Sequence, residues 1–171
     1  SEKALTDTIY LEMKMLREKG IRVCCGVPGN YGSDFIRDRL GLDPESAVRF
    51  SNYVGEVIDD AGALGMDGIL LIGHVGKFIK LAAGVMNTHS SCADGRMEVL
   101  AAHAAVAGAD RETVRAVMEC VNTTHALDIL KSHHLLGAVM ETAGERIGFY
   151  LRQRAGKNLM IGAYMFSESE G

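Results

Sequence analysis

The stretch from Gly73 to Arg96 concentrates the side chains that could do chemistry. No carboxylate occurs between Asp67 and Asp94, yet His74, Lys77, Lys80 and His89 all fall inside that interval, and Arg96 follows it. Three cations against Asp94 give residues 73–96 a net charge of +2, which leaves −6 for the rest of a chain whose total is −4. A locally basic, histidine-bearing segment on an acidic background attracts an anionic ligand. Its ammonium and guanidinium groups suit carboxylates, which they recognise by charge-assisted hydrogen bonds. His74 and His89 are the candidates for moving a proton. A solvated face carrying two ordinary histidines explains the same charge pattern. No Ser-His-Asp or Cys-His pairing accompanies the segment. Gly73-His74-Val75-Gly76-Lys77 lacks both the first glycine and the Ser or Thr of a phosphate-binding P-loop.

These residues need elements to hold them. Leu5, Ile9, Met13 and Leu16 recur at helical spacing, and Gly20 stops that helix. Residues 21–27 read as a strand, 33–40 as a helix capped by Ser33, and 47–51 as a second strand. Asn52 is expected to cap a helix ending at Gly65. Residues 68–73 form an unbroken apolar run, as expected of a strand covered on both faces. Residues 77–85 are helical or looped. Ser91 with Asp94 fits a capping box for a helix reaching Ala107. Further helices are expected over 110–120, 124–133 and 136–154, then a last strand over 158–166. Strands alternating with helices predict an α/β fold: a layered, mainly parallel, Rossmann-like sheet flanked by helices, with extra C-terminal helices and a final strand. Ligands of such sheets lie beyond the carboxyl ends of the strands. That places the loop 28–32 and the loop 74–76 at the site. Gly26-x-x-Gly29-x-x-Gly32 would let a ligand approach the backbone closely, although an ordinary tight turn explains it as well. Glu56 could bind ribose hydroxyls, or simply sit in the first turn of a helix, where the dipole favours acids.

The run Gly73-His74-Val75-Gly76-Lys77-Phe78-Ile79-Lys80, continuing through Asn87-Thr88-His89-Ser90-Ser91 to Asp94-Gly95-Arg96-Met97-Glu98, resembles the cobalt-precorrin-5B C1-methyltransferase family, CbiD. Gly29-Asn30-Tyr31-Gly32 and Ser51-Asn52-Tyr53-Val54-Gly55-Glu56 resemble that family in the same order. The likeness covers residues 1–171 as a single α/β domain corresponding to the C-terminal half of a two-domain enzyme. It implies S-adenosylmethionine-dependent methylation of C1 of cobalt-precorrin-5B, giving cobalt-precorrin-6A, in anaerobic cobalamin biosynthesis. The expected roles are His74 and His89 in catalysis, and Lys77, Lys80, Asn87, Thr88 and Arg96 on an anionic cobalt-corrinoid. Gly29, Asn30, Gly32, Asn52 and Glu56 are expected on S-adenosylmethionine, with no metal site.

Composition narrows the alternatives. With 18 basic and 22 acidic residues, 6% aromatics and no Trp, the chain lacks the basic surface and stacking platforms of a nucleic-acid binder. The longest stretch free of charged side chains, Leu81 to Ala93, is too short to span a membrane. Cys24, Cys25, Cys92 and Cys120 show no metal spacing and read as free thiols of a cytoplasmic protein. No signal peptide is expected, and a homo-oligomer is compatible with this reading. Two other functions compete: a non-catalytic module binding corrinoid or tetrapyrrole carboxylates, and a metal-dependent hydrolase built on His74, His89 and His103.

Overall fold

A computed structural model describes residues 1–167, apart from the side chains of residues 30–32. Helix α1 (Glu2–Glu18) starts where Ser1 accepts the Ala4 amide and buries Ile9, Met13 and Leu16. After it come β1 (Val23–Val27), α2 (Asn30–Asp38), β2 (Ala47–Arg49), α3 (Val54–Ala63) and β3 (Gly68–His74). Helix α4 (Val75–Phe78) runs into a 3-10 turn (Ile79–Ala83). Then follow α5 (Arg96–Val106), α6 (Arg111–Met118), α7 (Thr123–Ser132), α8 (Leu136–Ala155) and β4 (Met160–Phe166).

All strands are parallel, in the order β2-β1-β3-β4. The chain steps from β1 outward to β2, then crosses back over β1 to reach β3. The strand order therefore reverses between β1 and β3, and their carboxyl ends open the crevice in which such sheets bind ligands. The two directions of travel put the crossover helices on opposite faces. Val57, Ile58 and Ala61 of α3 join the main core with Ile69 and Leu71 of β3, together with α1 and α5–α8. Ile36 of α2 packs on the other face with Val27, Ile72 and Phe166. The predicted α/β class and parallel sheet are therefore present.

Several local expectations change. Asn52 does not cap α3; Tyr53 occupies that position without a side-chain cap, and Asn52 is drawn into a different network. The Ser91–Asp94 capping box is absent. Gly95, at φ +79°, turns the chain into α5, a conformation that suits a residue with no Cβ. Helix α2 starts at Asn30 rather than at Ser33. Gly26 is a packing glycine: a Cβ there would lie 2.9 Å from Leu71 Cδ2 and 3.2 Å from the Phe50 ring. Gly73 plays the same part for Phe78, whose ring occupies the space a side chain would need. The two glycines let Phe50 and Phe78 meet, ring centres 6.3 Å apart, beneath the crevice. The four cysteines are free, and burial pushes the Cys24 thiol up to about 11, as an inert core residue.

Candidate functional site

The residues at the carboxyl ends of β2 and β3 are tied together through Asn52. The bend leading to it holds Ser51 at φ +54°, a conformation that is unusual for a residue other than glycine. From this bend, the Asn52 backbone carbonyl accepts the Thr88 amide at 3.0 Å. Its side-chain Oδ1 accepts both the Thr88 hydroxyl at 3.0 Å and the Lys77 ammonium at 2.9 Å. Tyr53 and Asn87 form an isolated antiparallel bridge, and the Gly55 amide donates to the Met86 carbonyl. The 84–95 loop is thereby zipped to the start of α3, and Thr88 is buried in the seam.

The three cations of the basic window have separate fates. Lys77 is half-buried on α4, with the neutral amide of Asn52 as its partner. Burial pushes its pKa down, and the positive charge of Lys80 adds to the shift. Lys80 is only 4% exposed, and its ammonium donates to the carbonyls of Thr88 and Ala93, both at 3.0 Å. It fastens the loop from inside. Arg96 is paired with Asp94: Nε lies 2.7 Å from Oδ1 and Nη2 lies 3.0 Å from Oδ2. Its Nη1 also donates to the Thr123 hydroxyl. The guanidinium holds the Asp94 carboxyl down at about 2. Of the three, Lys77 alone is partly exposed without a carboxylate partner among the described residues.

His74 caps α4. Its Nδ1 accepts the Gly76 amide at 3.0 Å, which leaves the proton of the neutral ring on Nε2. Its ring stands edge-on to Phe166 at 5.8 Å. His89 is exposed on the loop, where Nδ1 accepts the Ser91 amide at 3.1 Å and lies 2.7 Å from the Ser91 hydroxyl. Asn87 Oδ1 accepts the His89 amide in a local turn. His103 lies elsewhere, between α5 and α8, 2.7 Å from the Thr142 hydroxyl. Among the described residues, no three His, Cys, Asp or Glu side chains gather as metal ligands, so the convergence a hydrolase on His74, His89 and His103 requires is not found.

The candidate cofactor residues divide. Asn52 belongs to the lysine network. Gly29 borders open space, which leaves its backbone accessible. Asn30 and Gly32 lie outside the residues whose side chains are described. Glu56 is half-buried on α3, and its charge acts on Tyr53, Asp60 and Arg154. This places it beside the Asp59–Arg154 ion pair, whose closest N–O distance is 2.8 Å. A mostly apolar cavity of about 150 Å³ opens beyond the carboxyl end of β4, lined by Val75, Leu127, Leu136, Met140, Met165, Phe166 and Ser167. Sequence reasoning missed both this cavity and the role of Asn52. Ser51-Asn52, a dipeptide prone to turns, was the available signal for the latter.

Residues 87–171 match the family described as CbiD, C-terminal domain. The cobalt-precorrin-5B C(1)-methyltransferase of Ruminiclostridium cellulolyticum is 43% identical over 168 residues, 98% of this chain and 44% of the relative. That of Alkaliphilus metalliredigens is 34% identical across the whole chain and 45% of its own length. That of Photorhabdus laumondii is 42% identical over 86% of the chain and 39% of its own length. The chain therefore spans less than half the length of these curated relatives. No solved structure matches it.

Proposed function

We propose that the chain, which belongs to the CbiD family and whose residues 87–171 match its C-terminal domain, forms part of an enzyme methylating C1 of cobalt-precorrin-5B with S-adenosylmethionine. The observation that carries this reading is the Asn52–Lys77–Thr88 network at the carboxyl ends of β2 and β3, beside the crevice where the strand order reverses. In methyl transfer a new bond forms between the ring carbon and the methyl group while the carbon–sulfur bond breaks, its electron pair staying on sulfur. The chief demand is that acceptor and donor be held close and in line. A nucleophilic side chain is not required, in keeping with a site built from amides, hydroxyls and one accessible ammonium.

In this reading Lys77 pairs with a carboxylate on the rim of the corrinoid, and Asn52 and Thr88 orient it. His74, His89 and Asn87 supply neutral donors and acceptors beside it. Arg96 contributes through Asp94, and Lys80 through the loop it fastens. The loop from Gly29 through Asn30 to Gly32, with Asn52, offers backbone and amide groups to the methyl donor. Glu56 belongs to the same reading only if its carboxylate turns away from Arg154. The non-catalytic corrinoid-binding alternative has no separate observation in its favour, since the relatives are named as methyltransferases.

The test is an ultraviolet–visible titration with a cobalt corrinoid bearing free acetate and propionate groups, using the chain and its Lys77→Ala variant. A charge-assisted hydrogen bond contributes about 1.5–3 kcal/mol, so the variant is expected to bind roughly 10- to 100-fold more weakly. Its unfolding temperature should stay within about 2 °C, since Lys77 has one partner and is partly solvated. Equal affinity in both proteins overturns the role of Lys77. Corrinoid binding with no methyl transferred by the full-length family polypeptide would favour the non-catalytic alternative.

A further inference from the structure

Helix α1 carries two apolar stripes. Ile9, Met13 and Leu16 face the core. Ala4, Thr8, Leu11 and Met15 follow one another at spacings of four, three and four, and all lie exposed on the opposite side of the helix. Leu11 is 57% exposed and Met15 56%. A surface helix needs one apolar stripe to dock on its own core. A second stripe, with the spacing of a coiled-coil seam, is a surface for another helix. Thr8 suits such a seam, since its hydroxyl already donates to the Ala4 carbonyl at 2.8 Å and leaves no unmet donor. Asp7 and Lys14 flank the stripe on one edge, and Leu5, Glu12 and Lys19 flank it on the other.

We propose that this outer stripe seats the same helix of a second copy of this chain, running antiparallel about a two-fold axis. The flanking charges argue for that occupant and that direction. In the antiparallel register Thr8 packs on the partner's Leu11, Met15 on the partner's Ala4, and Asp7 comes beside the partner's Lys14. The two-fold axis repeats each contact, as a self-complementary interface requires. Parallel pairing would instead set Asp7 against the partner's Glu12 and Lys14 against the partner's Lys19, like charges at both places. The Lys3–Asp7 pair lies in solvent, where such pairs contribute little, so Asp7 is free to turn. The Tyr53 hydroxyl donates to Glu2 at 3.5 Å, which puts the start of α1 at the crevice end of the sheet. Antiparallel pairing therefore points the two crevices in opposite directions along the seam. Few residues of each copy enter the seam, against the ~20–30 a side of a standard interface, so the dimer is weak and depends on protein concentration. The proposal rests neither on family membership nor on the reaction, so its failure would leave the methyltransferase reading standing.

Sedimentation equilibrium across a range of protein concentrations reads the association. Leu11→Glu puts a carboxylate into the seam and should weaken dimerisation at least 10-fold. The unfolding temperature of the dilute variant should match the parent, because Leu11 faces solvent there. Asp7→Lys and Lys14→Glu should each weaken dimerisation roughly 3- to 30-fold, since two ion pairs give way to two like-charge contacts. The double variant Asp7→Lys/Lys14→Glu restores opposite charges and should return to within about 3-fold of the parent. Direction is read by mixing Thr8→Cys chains with Leu11→Cys chains, both carrying Cys92→Ser to remove an exposed thiol. Oxidation should link position 8 to position 11 in preference to 8 to 8 or 11 to 11, with Val121→Cys, on an 86%-exposed residue, as the control. A chain that stays monomeric up to about 1 mM overturns the proposal. So does an association indifferent to charge reversal, or a predominance of like-to-like links. The last arm is a polypeptide in which the chain replaces the matched part of the R. cellulolyticum relative. Concentration-independent protection of a Leu11→Cys thiol from maleimide in that polypeptide would assign the stripe to the relative's remainder and overturn the proposal as well.

Discussion

Replacing Lys80 by Met tests how the loop at the crevice is held. The ammonium of this buried side chain donates to two carbonyls, Thr88 and Ala93, each at 3.0 Å. Lys80 is itself 4% exposed, so a methionine of similar length keeps the stem's burial and removes only the donors. Hydrogen bonds from a charged donor contribute about 1.5–3 kcal/mol each. Relief of the buried charge offsets part of that sum, which leaves a net loss of about 2–4 kcal/mol. In a domain of this size one kcal/mol corresponds to roughly 2–4 °C, so the unfolding temperature should fall by roughly 5–15 °C. Hydrogen exchange should rise chiefly over residues 86–95, and calorimetry with exchange mass spectrometry reads both effects. An unfolding temperature within 1 °C of the parent, with unchanged protection of the loop, would refute the clamp. The charge pattern of the sequence assigned Lys80 to an anionic ligand, whereas in the fold its ammonium is engaged by two backbone carbonyls.

Three further outcomes follow from the packing and the charges. Gly73→Ala puts a methyl group into the Phe78 ring and should cost ~1–3 kcal/mol in denaturant unfolding, with partial recovery on adding Phe78→Leu; a neutral effect would disprove the close contact. Burial, then Asp59 and Glu56, raises the Asp60 carboxyl to about 6, above its unfolded value, so this group costs stability as pH rises from about 4 through 6. Asp60→Asn should therefore stabilise the protein at pH 8 by about 1 kcal/mol and have no effect at pH 3.5, and an equal effect at both would refute the assignment. Asp94 behaves oppositely: held at about 2 by Arg96, it contributes stability above about pH 4 that is lost as pH falls through 2. The pair is half-exposed and solvent-screened, so Asp94→Asn should cost no more than about 1 kcal/mol at pH 7, and a larger loss would mean that the pair bears on the fold beyond its own charges.

The elements that periodicity could see were legible. The apolar run of β3, the amphipathic α1 and the helix expected from residue 110 each carry a local signal, and each is present. Features that depend on distant partners were not. Asn52 looks like a helix cap when read beside Tyr53 and Val54, but Lys77 and Thr88, 25 and 36 residues away, compete for its amide and win. Ser91 and Asp94 have capping-box spacing, yet the carboxylate goes to Arg96 and the hydroxyl to His89. Gly26 reads equally as a ligand-approach glycine or a core glycine until Phe50 is seen to fill its place.

The basic window shows why counting charges along the chain overstates a site. Folding spends two of its three cations internally: Arg96 is neutralised by Asp94, and Lys80 is withdrawn from solvent to bind backbone carbonyls. What remains of the window at the surface is one ammonium with a depressed pKa, bound to the Asn52 amide that also holds the Thr88 hydroxyl. A single partly screened cation cannot balance a ligand fringed with several carboxylates, because each unpaired carboxylate keeps its affinity for water. Under the proposed function, Lys77 therefore fixes one carboxylate of the ring, and the remaining countercharges come from residues outside this window.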